Sequence, residues 1–275
     1  MTQNIDLFLA ARNIRVGIIE SLYEAQSGHL GPSLSIVEIL AVLYLQELRL
    51  GLPLPVQSPC NRDVFVLSKG HAAPALYSTL AEAGLISKAM LKTLRKIESP
   101  LQGHPERHRL AFIDATTGSL GQGISMAQGY AMGQKIMESN NRTFCILGDG
   151  ECQEGQVWEA AMSAPKFGLD NLICIIDNNG FQNEDSVVKT MPIDTPRLKD
   201  KWEAFGWMVE TVDGHDFAQI QKSFLKAGTI KGMPTMIIAN TVKGKGISFS
   251  EGNPVWHSKA IDHDSYAVAI KELSQ

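Results

Sequence analysis

A doubly wound α/β domain, with a mostly parallel sheet and helices on both faces, is the fold class this sequence predicts. Five short apolar runs of strand length stand at residues 64–67, 143–147, 172–176, 208–212 and 235–239. They are apolar on both faces, as strands are when helices cover their sheet on each side. Stretches of helical periodicity separate most of them, at residues 72–83, 121–138, 154–166 and 217–226. Strands alternating with helices imply parallel pairing, and the expected organisation is one domain over residues 1–275.

The elements follow in order. Leu7, Ile14, Ile18, Ile19 and Leu22 recur at helical spacing, so residues 5–25 form an amphipathic helix. Ser35 is placed to open a second helix, with Glu38 as its capping-box partner and Ile39, Leu40, Leu43 and Tyr44 facing inward. In the stretch 121–138, Met126, Met132 and Met137 read as core filler. Trp158, beside Glu159, reads as packing at an interface.

Composition removes several function classes. The 275 residues carry 25 Lys+Arg against 29 Asp+Glu, a formal charge of −4, which gives no electrostatic case for nucleic acid or an anionic membrane. No stretch approaches the ~20 apolar residues of a membrane helix, since Glu38 breaks the longest candidate, residues 36–45. Residues 7–10 are too short for a signal-peptide core. Cys60, Cys145, Cys152 and Cys174 form no Cys-x-x-Cys pair, and Cys145 and Cys174, in apolar runs, are expected as reduced, buried thiols rather than a disulfide frame or zinc site. A soluble, cytoplasmic protein is expected.

Ligands bind parallel sheets at the carboxyl ends of their strands, and four of those ends carry polar residues beside glycine. They are Ser68-Lys69-Gly70-His71, Gly148-Asp149-Gly150-Glu151, Asp177-Asn178-Asn179-Gly180 and Asn240-Thr241-Val242-Lys243-Gly244. Asp149 sits between two glycines ahead of a helix, where backbone N–H groups favour a diphosphate. A single carboxylate with neutral oxygens nearby suits Mg²⁺, which retains phosphate and water ligands. Asn179, 30 positions on, offers an amide oxygen from the next strand end. A lone Gly-Asp-Gly also suits a plain turn, and the paired Asn is what separates the two readings. Neither a P-loop nor a Gly-x-Gly-x-x-Gly fingerprint follows a strand, which counts against a nucleotide triphosphatase and a Rossmann dehydrogenase. His104 and His108 are four apart, but Pro105 removes a helical zinc pair.

The run from Gly148-Asp149-Gly150 to Asn178-Asn179 resembles the thiamine diphosphate motif. Ser27-Gly28-His29, Leu67-Ser68-Lys69-Gly70-His71, Gly103-His104-Pro105, the run Thr117 to Gly123, the run Thr241 to Gly246 and Trp256-His257 resemble transketolases, in transketolase order. The resemblance covers nearly the whole chain and implies the diphosphate-binding half of such an enzyme. It implies that Asp149, Asn179 and the Phe181 carbonyl hold Mg²⁺ or Ca²⁺. Gly150, His71, Lys243 and His257 would surround the diphosphate and thiazolium, and Gly118 and Leu120 would line the rings. His29, His104 and His257 would face the sugar, while Glu154 and Glu159 match acidic positions at a dimer interface. The family has Pro directly after its first histidine, whereas Leu30-Gly31-Pro32 follows His29 here.

Histidine suits the work, because its protonation equilibrium lies near neutral pH. Of seven histidines, His108, His215 and His263 read as surface residues, and Lys243 and Lys245 also fit a solvated face.

The resemblance also implies what is elsewhere. The family's essential glutamate and most acceptor-phosphate ligands lie on pyrimidine-binding and C-terminal domains, which this chain lacks. A naturally split enzyme is expected: a companion C-terminal transketolase subunit, an α₂β₂ assembly, and ketol transfer from a ketose or ketose phosphate to an aldose. Half of a deoxyxylulose-phosphate synthase or 2-oxoacid dehydrogenase, and a non-catalytic cofactor-binding subunit, are the alternatives.

Overall fold

The computed structural model describes residues 5–51, 58, 61–183, 185–191 and 194–275, so Cys60 lies outside the described residues. The chain opens with α1 (Leu7–Ala25), α2 (Leu30–Leu34) and α3 (Val37–Val42). Next come β1 (Val64–Leu67), α4 (Ala73–Glu82), α5 (Gln122–Ile136), β2 (Thr143–Gly148), α6 (Gly155–Lys166) and β3 (Leu172–Asn178). A small hairpin, β4 (Phe181–Gln182) with β5 (Asp185–Ser186), leads to α7 (Val187–Thr190) and α8 (Thr195–Ala204). The chain ends with β6 (Met208–Asp213), α9 (Phe217–Ala227), β7 (Thr235–Asn240) and α10 (His263–Leu273).

The five predicted strands form one sheet in the order β1-β2-β3-β7-β6, every pair parallel. Successive strand side chains divide between two cores. Phe65, Leu67, Phe144, Ile146, Ile173, Ile175 and Ile237 meet α1, α3, α4 and α9 on one face. Val64, Val66, Cys145, Leu147, Cys174, Ile176 and Ile238 meet α5, α6 and α8 on the other. This is why the runs of β1, β2, β3 and β7 are apolar without alternation; β6, expected to be covered on both faces, is an edge strand with Thr211 exposed and only Val212 buried. Cys145 and Cys174 are register partners, and with Cys152 they are buried free thiols.

Asp6 caps α1 by accepting the N–H groups of Phe8 and Leu9. The capping box expected at Ser35 and Glu38 does not form. Ile36 precedes α3 without a side-chain cap, and a π-turn, Leu43–Glu47, follows it. The Ser35 hydroxyl donates instead to Asp177 at 2.7 Å, while Glu38 pairs with Arg15 and His215. Both side chains are buried, so satisfying interior polar partners outweighs a local cap. Ile39, Leu40, Leu43 and Tyr44 are buried as predicted. Met126 and Met137 are not core filler: they are 38% and 66% exposed, because Ile124, Ala127 and Ala131 hold the inner stripe of α5. Met132 does pack against the core. Trp158 packs on Trp202 and Phe205 within the chain. Helices α8 and α10, which the sequence pattern did not reveal, are each capped by an aspartate, Asp194 and Asp262.

Candidate active site

The loops after β1, β2, β3 and β7 converge on a cleft of about 300 Å³. It is lined by His29, His71, Gly118, Leu120, Asp149, Gly150, Glu154, Asn179, Phe181, Lys243 and His257. A larger groove of about 590 Å³ lies at the opposite ends of the strands. Among its charged residues Lys135 pairs with Asp170, and Arg142 pairs with Glu47 and Asp63.

Asp149 follows β2 and is 2% exposed. Its carboxylate accepts the Gly150 N–H at 2.8 Å and the Gly180 N–H at 2.6 Å. Burial, and then the nearby Asp177 carboxylate, push it up to about 7. Asn179 donates to Asp177 at 2.8 Å, and its amide oxygen accepts the Phe181 N–H at 3.0 Å. Asp177 has four donors: Lys69, Ser35, Thr241 and Asn179. Burial alone would raise its carboxyl, but the Lys69 charge and these bonds outweigh burial and hold it low. Lys69 also donates to the Pro32 carbonyl at 3.1 Å, which ties α2 to the sheet. Glu151 braces the far side by accepting from Ser68, the Gly121 N–H at 2.8 Å and the Gly148 N–H at 3.0 Å.

Opposite Asp149 stands a cluster of three imidazoles. His29 lies 5.2 Å from His71 and from His257, and His71 lies 5.4 Å from His257, centroid to centroid. Burial, then the Arg95 charge, lower His29 to about 4, and burial, then Lys243, lower His257 to about 3. Burial, then Lys69, hold His71 well below its ordinary range. All three are therefore neutral at pH 7. Nδ1 of His29 and of His257 and the amide oxygen of Gln182 are buried without a protein partner. Helix α2 starts directly after His29, and Gly31 lets the backbone approach Lys243, whose Cγ lies 3.0 Å from where a Cβ would be.

His104 does not line the cleft but stands at its edge over Gly118. A Cβ on Gly118, where φ is +149°, would lie 3.2 Å from the His104 ring. Lys243 is not a solvated charge; it is 1% exposed, donates to the Asn183 carbonyl at 2.7 Å and stands 5.6 Å from the centre of the Phe181 ring. Glu154 is the N-cap of α6 and lines the cleft, whereas Glu159 is exposed farther along α6 and outside it. His108 and His263 are exposed as expected. His215 is not a surface residue, since Glu38 and the Val242 N–H hold its ring. Sequence reasoning gave Lys69, Asp177 and Glu151 no role; each stands in a quoted strand-end motif, but only burial reveals what it does.

These features define a diphosphate- and metal-binding α/β domain. The orphaned imidazole nitrogens and the surrounding cations, Lys69 and Lys243, fit an anionic cofactor. Asp149, strained by burial toward its protonated form, fits a divalent cation. Among the described residues no three His, Cys, Asp or Glu side chains form a metal cluster, so a cation here would also need carbonyl, amide and phosphate oxygens.

Comparison with known proteins agrees. The model for the transketolase thiamine diphosphate-binding domain matches residues 8–274. The chain is 41% identical over 273 residues to the 6-deoxy-6-sulfo-D-fructose transketolase subunit SqwG of Clostridium sp. (strain MSTE9), covering 99% of this chain and 98% of that one. It is 36% identical to an apulose-4-phosphate transketolase subunit of Phocaeicola vulgatus, covering 98% and 94%. It is 42% identical to human transketolase, covering 96% of this chain but 41% of that one. The transketolase structure from Campylobacter jejuni superposes with a TM-score of 0.89 at 32% identity, over 99% of this chain and 43% of that one. The chain belongs to the transketolase family, thiamine diphosphate- and metal-dependent enzymes of ketol transfer, and corresponds to their cofactor-binding domain. These matches favour transketolase over the other thiamine enzymes left open by the sequence.

Proposed function

We propose that the chain is the diphosphate-binding subunit of a split transketolase, one domain over residues 1–275, moving a two-carbon ketol unit between sugars or sugar phosphates. The observation that carries this reading is the neutral imidazole cluster facing Asp149 and Asn179 across a glycine-lined cleft. Asp149, Asn179 and the Phe181 carbonyl would hold Mg²⁺ or Ca²⁺. His71, Gly150, Lys243 and His257 would hold the diphosphate, with Gly118 and Leu120 against the rings. Thiamine diphosphate, when bound, supplies the nucleophilic carbon and electron sink for cleaving a bond next to a carbonyl.

This chain's residues do the rest. A neutral imidazole both donates and accepts, so His29, His104 and His257 hydrogen-bond sugar hydroxyls and the oxygen on which charge develops. Burial keeps the Nδ1 atoms of His29 and His257 from being levelled by water. A companion subunit would bring the pyrimidine-binding and C-terminal domains, in an α₂β₂ assembly with Glu154 and Glu159 toward its two-fold axis, where a glutamate meets its own copy. The two subunit relatives, each matched over nearly its whole length, support the split arrangement. Three buried free thiols fit a cytoplasmic location, and no described helix is long and apolar enough to cross a membrane.

The test combines this chain with its companion. Native mass spectrometry should give two copies of each, and ketol transfer should require both chains, thiamine diphosphate and a divalent cation. Turnover by this chain unaided would overturn the split reading.

A further inference from the structure

The turn after β6, Asp213-Gly214-His215, lies against the segment after β7. The Gly214 N–H donates to the Asn240 carbonyl at 2.8 Å, and a Cβ on Gly214 would stand 2.4 Å from the Thr241 methyl, so only glycine permits the approach. The His215 ring is 13% exposed and has a defined partner at each nitrogen. Nδ1 lies 3.0 Å from Glu38 Oε2, and Nε2 accepts the Val242 N–H at 2.8 Å. An amide N–H only donates, so Nε2 carries no proton; Nδ1 then bears the hydrogen and donates it to the carboxylate.

Glu38 is itself fixed. Its other oxygen accepts from Arg15 Nη2 at 2.6 Å, and Arg15 Nε donates to the Lys245 carbonyl at 3.0 Å. A Cβ on Gly246 would stand 2.6 Å from that Nε. The chain Arg15–Glu38–His215 therefore grips the backbone on both sides of Lys243, at Val242 and at Lys245. Thr241, just before the gripped amide, bonds Asp177, and Lys243 reaches into the cleft. A lysine ammonium sits on a flexible four-carbon stem, so where its charge stands depends on how firmly its backbone is held.

We infer that His215, as its neutral Nδ1–H tautomer, is a positioning residue for thiamine diphosphate: it fixes residues 241–245 so that Lys243 meets the diphosphate. This rests on the role proposed above for Lys243. His215 touches neither cofactor nor substrate, and its effect falls on cofactor affinity rather than on the chemical step.

The experiment uses the enzyme assembled with its companion and titrates thiamine diphosphate calorimetrically at fixed Mg²⁺. His215→Leu should weaken binding about tenfold or more, with kcat at saturating cofactor within about twofold of wild type. His215→Gln, whose amide both accepts from Val242 and donates to Glu38, should recover most of the affinity. Nitrogen-15 spectra of the wild-type full chain should show His215 protonated at Nδ1 alone. Wild-type affinity in His215→Leu, equal losses in the Leu and Gln variants, or a ring protonated at Nε2 would each overturn the inference. The spectrum decides even where the Leu variant does not fold. Lys243→Met, run in parallel, separates the premise: unchanged affinity there removes the role of Lys243, whereas a loss there with none in His215→Leu removes only that of His215.

Discussion

Lys69 and Asp177 form an ion pair in the interior, their side chains 2% and 0% exposed, joining the end of β1 to the end of β3 beneath the cofactor cleft. Neither charge has access to water, so each depends on the other and on the donors around Asp177: Ser35 of the α2–α3 junction, Thr241 of the loop after β7, and Asn179. The pair thus binds three of the four site loops into one unit.

Breaking this pair should be costly. Lys69→Met leaves a buried carboxylate without its cation and should lose about 3–5 kcal/mol in urea unfolding of the chain. A loss below about 1 kcal/mol would mean that the remaining three donors suffice.

The histidine cluster should make the chain acid-labile. His29 and His257 titrate at about 4 and 3 in the fold, against about 6.5 when unfolded. Protons then bind the unfolded chain first, so this stability is present above about pH 6.5 and is lost as pH falls toward 4 and 3. His257→Phe should flatten the fall of the urea midpoint between pH 6.5 and 4; an unchanged slope would place the acid lability elsewhere.

Gly118→Ala should be costly twice over. At φ +149° an L residue is strained, by about 1–3 kcal/mol, and the new methyl stands against the His104 ring. Reduced melting temperature and reduced turnover are both expected, and normal kinetics would show that His104 swings aside freely.

Two substitutions should part binding from chemistry. Asp149→Ala should abolish calorimetrically detectable cofactor binding in the assembled enzyme. His104→Ala should lose at least tenfold in turnover, roughly 1.4 kcal/mol, with cofactor affinity retained. If His104→Ala instead loses cofactor while turnover at saturation holds, its place is on the cofactor.

The strands, and most of the residues that line the cleft, are legible in the sequence. Apolar runs at residues 64–67, 143–147, 172–176 and 235–239 are a local signal of strands covered on both faces, and each proved to be a sheet strand; residues 208–212, broken by Glu210 and Thr211, proved to be the partly exposed edge strand β6. Asp149 and Asn179 are marked by residue type at two strand ends, His29, His71 and His257 by motifs that resemble the family's, and all five line one cleft. Tertiary structure alone decided what depends on partners far apart in the chain. Nothing local tells that Ser35 leaves its helix for Asp177, 142 positions on, or that Glu38 is claimed by His215, 177 positions on. Exposed Met126 and Met137 and buried Lys69, Lys243 and His215 have the same origin. A side chain's burial is set by which elements pack above it, and a buried polar group must take whichever partner that packing supplies.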